Sequence, residues 1–155
     1  MIRSIRRVLG IVSPTSASAN AKAVDAYEPR LVISVSSRDS LVQRAAILYE
    51  DARLPEAERL EREALVVSKY LDGEWHTETL KVKAGLAITL RGQAKFVEAL
   101  ELGEDIVKAH SLLRGPADQA TRIAIESLFQ TKLMRAASQA RVLAKLMRAA
   151  HDPLG

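Results

Sequence analysis

Apolar and small residues recur 42 positions apart through the middle of the chain, between Leu41 and Thr121. The recurring pairs are Ala57 and Ala99, Leu60 and Leu102, Ala64 and Ile106, Leu71 and Leu113, Gly73 and Gly115, and Thr79 and Thr121. Within each copy the apolar residues follow the i, i+3, i+4, i+7 spacing of amphipathic helices. Internal periods of roughly 20–50 residues are typical of solenoids, whose units bury their apolar faces against one another. The pattern therefore predicts an all-α solenoid.

The pattern places two helices in each of three repeats. Ser36, with Asp39 three residues later, is the expected N-cap of the first helix, Pro55 suits a first helical turn, and Gly115 stops the fourth helix. The predicted helices cover about 38–52, 55–71, 77–91, 94–113, a segment from about 117, and 134–151.

The residues expected to face the core are the apolar members of these helices. In the first two repeats they are Val42, Ala45, Ala46, Tyr49, Leu60, Ala64, Val67, Leu71, Val82, Leu86, Ala87, Leu90, Phe96, Ala99, Leu102 and Ile106. In the third repeat they are Ile125, Leu128, Phe129, Ala140, Leu143 and Met147. The prediction is thus about three stacked hairpins.

The N-terminal part of the chain follows a different pattern. Residues 1–24 hold three arginines opposite an apolar face, then a Ser/Ala-rich stretch, and no acidic residue. This is typical of a mitochondrial or plastid transit peptide, and the alternatives are a disordered basic tail or a surface helix that docks on the repeats. Residues 25–37 are predicted to be an extended linker, since Leu31 to Ser37 is the one β-prone run. Residues 38–155 are predicted to be the repeat domain.

Composition supports a helical chain and excludes some classes of protein. Apolar residues make up 48% and aromatic residues 4%, and there is no cysteine, so neither disulfides nor thiolate chemistry is available. No apolar run approaches the ~20 residues of a membrane span. The net charge of +4 is uneven, because residues 41–131 carry twelve basic and fifteen acidic residues while both ends are basic. Such asymmetry bears on partners and targeting.

The repeat resembles the tetratricopeptide (TPR) repeat of the kinesin light chain type. That family's pattern runs roughly L-A-x-x-Y, E-A-E-x-L-x-x-x-A-L and G-x-x-H-P-D-T. The matching residues are Ala46, Tyr49, Glu56, Ala57, Glu58, Leu60, Ala64, Leu65, Gly73, His76, Glu78 and Thr79, then Leu86, Ala87, Glu98, Ala99, Leu100, Gly115 and Thr121. Asp118 stands in place of the second loop histidine, and the third copy fits only after a one-residue deletion. The resemblance covers about 38–151 and implies helical hairpins that bind other proteins.

Candidate chemistry is sparse. The three histidines share no metal-ligand spacing, and neither a glycine-rich phosphate loop nor a G-x-S-x-G motif is present. The acidic residues Glu56, Glu58, Glu61 and Glu63 are interpreted as a solvated helix face. We therefore expect no enzyme activity, no cofactor and no metal.

Two surfaces are predicted to bind protein partners. If the first helix of each hairpin lines a concave groove, as in TPR proteins, its outward residues are Gln43, Arg44, Ile47, Glu50, Lys81, Ile88, Arg91, Glu126 and Gln130. The alternative is a groove that merely faces solvent. The last helix carries a second apolar face beside basic residues, namely Arg141, Val142, Lys145, Leu146, Arg148 and Ala149. Something should cover that face: the N-terminal segment, a second copy or a partner subunit.

Three functions remain open at this point. The first is a non-enzymatic scaffold, a structural subunit or assembly factor of a larger complex in the mitochondrial matrix. The second is a free adaptor, cytoplasmic or organellar, that binds a peptide in its concave groove. The third, an RNA-contacting protein, rests on the basic last helix and is weakened by the acidic repeats and the scarcity of aromatic residues.

Overall fold

The computed structural model describes residues 33–151, which form five α-helices and no strand. The helices are α1 (Val35–Glu50), α2 (Leu54–Leu71), α3 (Thr77–Gly92), α4 (Phe96–Arg114) and α5 (Gln119–His151). Each helix packs against the next one along the chain. The all-α prediction is confirmed, while the targeting segment 1–24 and most of the linker 25–37 lie outside the described residues.

The 42-residue period is present in the backbone as well as in the sequence. Helix α1 and helix α3 begin 42 residues apart and end 42 residues apart. The turns that follow them match too, because Ala52 and Ala94 adopt left-handed φ angles of 58° and 59°. The next N–H in each turn donates to a carbonyl five residues back, at 2.8 Å to Leu48 and 2.9 Å to Leu90. The turn inside each hairpin is therefore the same structure used twice.

The turn between hairpins also repeats. Buried Thr79 donates from Oγ1 to the Gly73 carbonyl at 2.7 Å, and Thr121 donates to the Gly115 carbonyl at 2.8 Å. Both glycines have positive φ, 96° and 88°, which a side chain would strain. The recurrence of Gly and Thr in the sequence therefore corresponds to one hydrogen-bonded connection that joins α2 to α3 and α4 to α5.

The core lies mainly between α2, α3 and α4 and confirms the predicted apolar faces in part: Leu71, Ala87, Phe96 and Leu102 are only half-buried, whereas buried Leu80, Leu100 and Ala109 were not predicted. Buried residues there include Ala57, Leu60, Ala64, Val67, Val82, Leu86, Leu90, Ala99 and Ile106. The prediction was wrong for α1, where only Ala45 of the four core candidates is buried and Val42, Ala46 and Tyr49 are exposed. Helix α1 is the first helix of the described region and packs mainly against α2, so most of its apolar stripe is left uncovered.

Helix α1 also begins earlier than predicted. Its N-cap is Ser34, whose Oγ accepts the Ser37 N–H at 3.1 Å while the Ser37 Oγ accepts the Ser34 N–H at 3.0 Å. This reciprocal capping box provides acceptors for two N–H groups that have no acceptor within the helix. Ser36, the predicted cap, lies inside the helix.

The third hairpin is not formed. Helix α5 continues for 33 residues through the position where a turn was expected. Ile125, Phe129, Ala140, Leu143 and Met147, which were assigned to its core, are all exposed, and Leu128 is half-buried. No Gly or Pro occurs between residues 117 and 152, and the stretch is rich in the helix formers Ala, Leu, Met, Lys and Arg. The described chain is thus two hairpins followed by one long helix.

Candidate binding face

Two grooves open on the face that α1, α3 and the first half of α5 form together. The polar groove, of about 310 Å³, is lined by Arg38, Asp39, Val42, Gln43, Glu61, Glu78, Lys81, Val82 and Gly85. The apolar groove, of about 250 Å³, is lined by Leu80, Lys81, Ala84, Ala87, Ile88, Ala99, Gly103, Ile106, His110, Ala120, Ile123, Ala124, Ser127, Leu128 and Thr131. Because Lys81 lines both, the two grooves are direct neighbours.

The two grooves are the same feature in successive repeats. Every residue that lines the polar groove has a partner 42 positions later, and eight of those nine partners line the apolar groove. The exchanges change the chemistry completely: Leu80 replaces Arg38, Gly103 replaces Glu61, and Ile123 replaces Lys81. One backbone template therefore presents a charged groove beside an apolar one.

The cations of the polar groove are held by ion pairs. Arg38 is buried on α1 and contacts Asp39 at 2.9 Å and Asp72 at 2.6 Å. Lys81 Nζ lies 2.8 Å from Glu78 Oε1, and the hydrogen bond it donates lowers the pKa of that carboxyl. Both cations are thus already neutralised by acidic residues of the same protein.

Glu61, at the floor of this groove, is an acidic side chain that forms no ion pair among residues 33–151, and a polar neighbour is the neutral hydroxyl of Thr89. It is only 9% exposed, and its Oε2 is buried without a hydrogen-bond partner among residues 33–151. Burial raises its pKa, since removing a carboxylate from water disfavours the charged form. Gly85 makes room for it, because a Cβ there would lie 3.2 Å from Glu61 Oε1. The polar groove therefore holds one buried carboxyl without a cationic partner among residues 33–151.

Glu58 is buried too, one helical turn away, but it is fully paired. Its Oε2 accepts from Gln93 at 2.7 Å and from Lys95 at 2.6 Å, and its Oε1 accepts from Arg62 at 2.8 Å. The interpretation of the acidic residues of α2 as a solvated face was therefore wrong for Glu58 and Glu61, although Glu56 and Glu63 are exposed. Glu58 ties α2 to the turn between α3 and α4.

The apolar groove has an open rim of isoleucines. Ile88 on α3 and Ile123 on α5 are 37% and 59% exposed. Its floor is narrow because Gly103 lets Leu128 approach closely, and a Cβ at that glycine would lie 3.0 Å from Leu128 Cδ1. At one end stands His110, whose pKa is lowered by burial and by nearby Arg114, so that it is neutral at pH 7. The groove carries no charge of its own except Lys81 at its edge.

The structure places the predicted groove residues unevenly. Gln43 lines the polar groove, Lys81 lines both grooves, and Ile88 lines the apolar one. Glu126 lines a separate, shallower depression at the start of α5. The others lie outside these linings, and all but half-buried Arg91 are exposed: Arg44, Ile47, Glu50, Arg91 and Gln130.

The residues predicted on the last helix all lie in the second half of α5. Arg141, Val142, Lys145, Leu146, Arg148 and Ala149 are exposed there. None of them lines the polar groove or the apolar groove.

Sequence reasoning missed the groove residues that come from α2 and α4. Glu61 and Gly103 occupy the same repeat position, and each meets a residue of the following helix, Gly85 or Leu128. Aligning the two repeats would have exposed the exchange of Glu for Gly. It would not have shown that this position faces a groove, since that depends on how neighbouring hairpins stack.

Other functional features are absent from the described part of the chain. Within residues 33–151 no cluster of His, Asp or Glu could hold a metal ion, and no helix is both long and apolar enough to cross a membrane. His76 lies in the loop before α3 and caps that helix, because its Nδ1 accepts the Glu78 N–H at 3.3 Å. Comparison of the chain with protein-family models and with curated proteins finds no match.

Proposed function

We propose that this protein is a non-enzymatic interaction module of the TPR-like solenoid type that binds a segment of another protein across α1, α3 and α5. The observation that carries the proposal is the pair of equivalent grooves with opposite chemistry. Proteins that bind peptides commonly combine an apolar pocket with a few well-placed polar groups. Two such neighbouring grooves select a ligand that carries one side chain suited to the polar groove and another suited to the apolar groove, in a fixed order along the ligand.

The chemistry of the grooves defines the ligand. Glu61 has no cationic partner among residues 33–151, while Arg38 and Lys81 are already paired, so the polar groove favours a basic side chain over an acidic one. An arriving ammonium or guanidinium would pair with the buried carboxylate and offset the cost of its burial. The apolar groove accepts an aliphatic side chain between Ile88 and Ile123. The ligand is therefore a segment with a Lys or Arg close to a Leu, Ile or Met.

Selection from a random peptide library tests this assignment. The wild-type chain should enrich peptides that combine a basic and an aliphatic residue at one fixed spacing. Glu61→Gln should abolish the basic preference and keep the aliphatic one, whereas Ile123→Asp should do the reverse. Val66→Asp, on an exposed apolar residue of α2 outside both grooves, is the matched control and should select as wild type does. If the wild type enriches no motif, or if both groove variants keep it, the binding assignment is wrong.

A role as a structural subunit has separate support. The second half of α5 presents Val142 and Leu146 to solvent beside Arg141, Lys145 and Arg148. An apolar face flanked by cations suits a partner with an acidic rim. Native electrophoresis of the endogenous protein discriminates the two roles: a stable heavy complex supports the subunit, and a low mass supports the adaptor.

The proposed site of action is mitochondrial, with cytoplasm as the alternative. It rests on the basic, acid-free residues 1–24 alone. It is independent of the groove proposal, because the binding face is built entirely from residues 38–131.

A further inference from the structure

The second half of α5 stands apart from the rest of the described chain. Every residue from 139 to 151 is exposed, thirteen in succession. Most of the stability of a helix in a protein comes from packing one of its faces, and this segment has no packed face among the described residues. The helix needs a surface to pack against, and residues 33–138 do not supply one.

A continuous apolar stripe runs along the outer side of α5. Its members are spaced alternately four and three residues apart, as in a coiled-coil seam. They are Phe129, Leu133, Ala136, Ala140, Leu143 and Met147. The four large ones are between 59% and 66% exposed, and both alanines are exposed as well. Buried Ala124 and Thr131 lie on the opposite side of the helix, so this seam faces away from α4.

The sizes of the seam residues are symmetric about the middle of the seam. Its order of sizes is large, large, small, small, large, large, and the midpoint falls at residue 138. Two antiparallel copies would therefore pair Phe129 with Met147, Leu133 with Leu143, and Ala136 with Ala140. A two-fold interface requires this reciprocity, in which residue i meets j and j meets i. We propose that the protein forms an antiparallel homodimer through the seam of α5.

Charge favours a second copy over a differently charged partner. The positions that flank the seam are nearly neutral: Gln130, Lys132, Ala137, Gln139, Ala144 and Leu146. The one cation among them, Lys132, lies 3.5 Å from Glu104 of its own chain. The other basic residues of the second half of α5 lie on other sides of the helix, so they do not select an acidic partner at the seam.

The antiparallel direction is favoured over the parallel one for two reasons. Antiparallel helices oppose their macrodipoles, which is the favourable arrangement. In addition, Glu126 of one copy then lies within one turn of Arg148 of the other.

Sedimentation equilibrium of the full chain tests the dimer. We expect a mass of about 34 kDa, twice the 17.0 kDa of one chain. Leu143→Asp places two charges in the seam of each dimer and should raise the dissociation constant at least about 100-fold. Val142→Asp, at a neighbouring position of similar exposure outside the seam, should leave it unchanged. Circular dichroism should show full helicity of the body in both variants, and Met147→Glu serves as the second seam variant.

Several results would overturn the proposal. A wild-type chain that is monomeric at 100 µM excludes a functional dimer. Loss of the dimer in Val142→Asp but not in Leu143→Asp assigns the contact to the other face of the helix. If the chain dimerises only after residues 1–32 are deleted, that segment and not a second copy covers the seam. None of these outcomes depends on peptide binding in the grooves.

Cysteine cross-linking tests the direction, and the chain has no native cysteine to interfere. Mixing Ala136→Cys with Ala140→Cys should give a mixed disulfide, while each variant alone should not cross-link. Disulfides require Cα atoms within about 7 Å, which only facing positions satisfy. Efficient cross-linking of each variant with itself would instead show a parallel pair and refute the antiparallel dimer.

Discussion

Neutralising Glu58 should destabilise the protein in a strongly pH-dependent way. This carboxylate is 8% exposed and accepts hydrogen bonds from Arg62 on its own helix and from Gln93 and Lys95 in the next repeat. Burial by itself raises its pKa, but the hydrogen bonds from Lys95, Arg62 and Gln93 outweigh burial and lower the pKa to about 2. The ordinary value is 4.5, so folding strongly favours the ionised form.

The size of the effect follows from that difference in pKa. One pH unit corresponds to about 1.4 kcal/mol, so the fall from 4.5 to about 2 contributes roughly 3 kcal/mol to folding at neutral pH. Because Arg62 and Lys95 are about half exposed, solvent screening reduces this to about 2–3 kcal/mol. A lowered pKa stabilises the fold above the unfolded value, so the contribution is complete above about pH 5 and disappears toward pH 2.

Urea unfolding at a series of pH values measures this contribution. At pH 7, Glu58→Gln should lower the free energy of unfolding by about 2–3 kcal/mol, and the gap from wild type should shrink progressively between pH 5 and pH 2. Glu63→Gln is the matched control, since Glu63 pairs with Arg59 on the exposed side of the same helix and should cost less than about 0.5 kcal/mol. A gap for Glu58→Gln that is constant from pH 7 to pH 3 would refute the electrostatic explanation.

Three further predictions concern the turns, the core and the N-terminal segment. Ala52→Gly and Ala94→Gly should each stabilise the chain by about 0.5–1 kcal/mol in thermal or urea unfolding, because both alanines hold left-handed φ angles; a loss of stability at both would contradict the strain. Ala99→Leu should cost about 1–3 kcal/mol by overpacking a buried helix crossing, while Val97→Leu, on an exposed neighbour, should be neutral. Residues 1–24 fused to a fluorescent reporter should direct it to mitochondria, and changing their three N-terminal arginines to glutamate should abolish import; a cytosolic wild-type fusion would rule the targeting out.

Local signals in the sequence were enough to predict the repeating part of the fold. The recurrence of Gly73 as Gly115 and of Thr79 as Thr121 located the two equivalent connections, and the structure shows that each threonine hydroxyl donates to the carbonyl of its glycine. The apolar spacing of α2, α3 and α4 specified which faces are buried, because those helices have neighbours on both sides. Each of these features depends on residues close together in the chain, so the 42-residue recurrence made them visible.

The third repeat was mispredicted because it lacks two features that accompany the turn in the second repeat. In the second repeat Glu58 on α2 accepts hydrogen bonds from Gln93 and Lys95 and holds the turn after α3. The position 42 residues after Glu58 is Leu100, which cannot accept them. The corresponding segment also contains neither Gly nor Pro, and α5 continues through it as one helix.

The binding face was decided by the stacking of the hairpins. Glu61 and Gly103 occupy equivalent repeat positions, yet only the packing of three helices around each one shows that both form the floor of a groove. Sequence spacing placed Glu61 among the solvated acids of α2, because periodicity describes one helix and not the neighbours that cover it. The sequence thus determined the repeat, its turns and most of its buried positions, whereas the packing between hairpins decided which side chains line the two grooves.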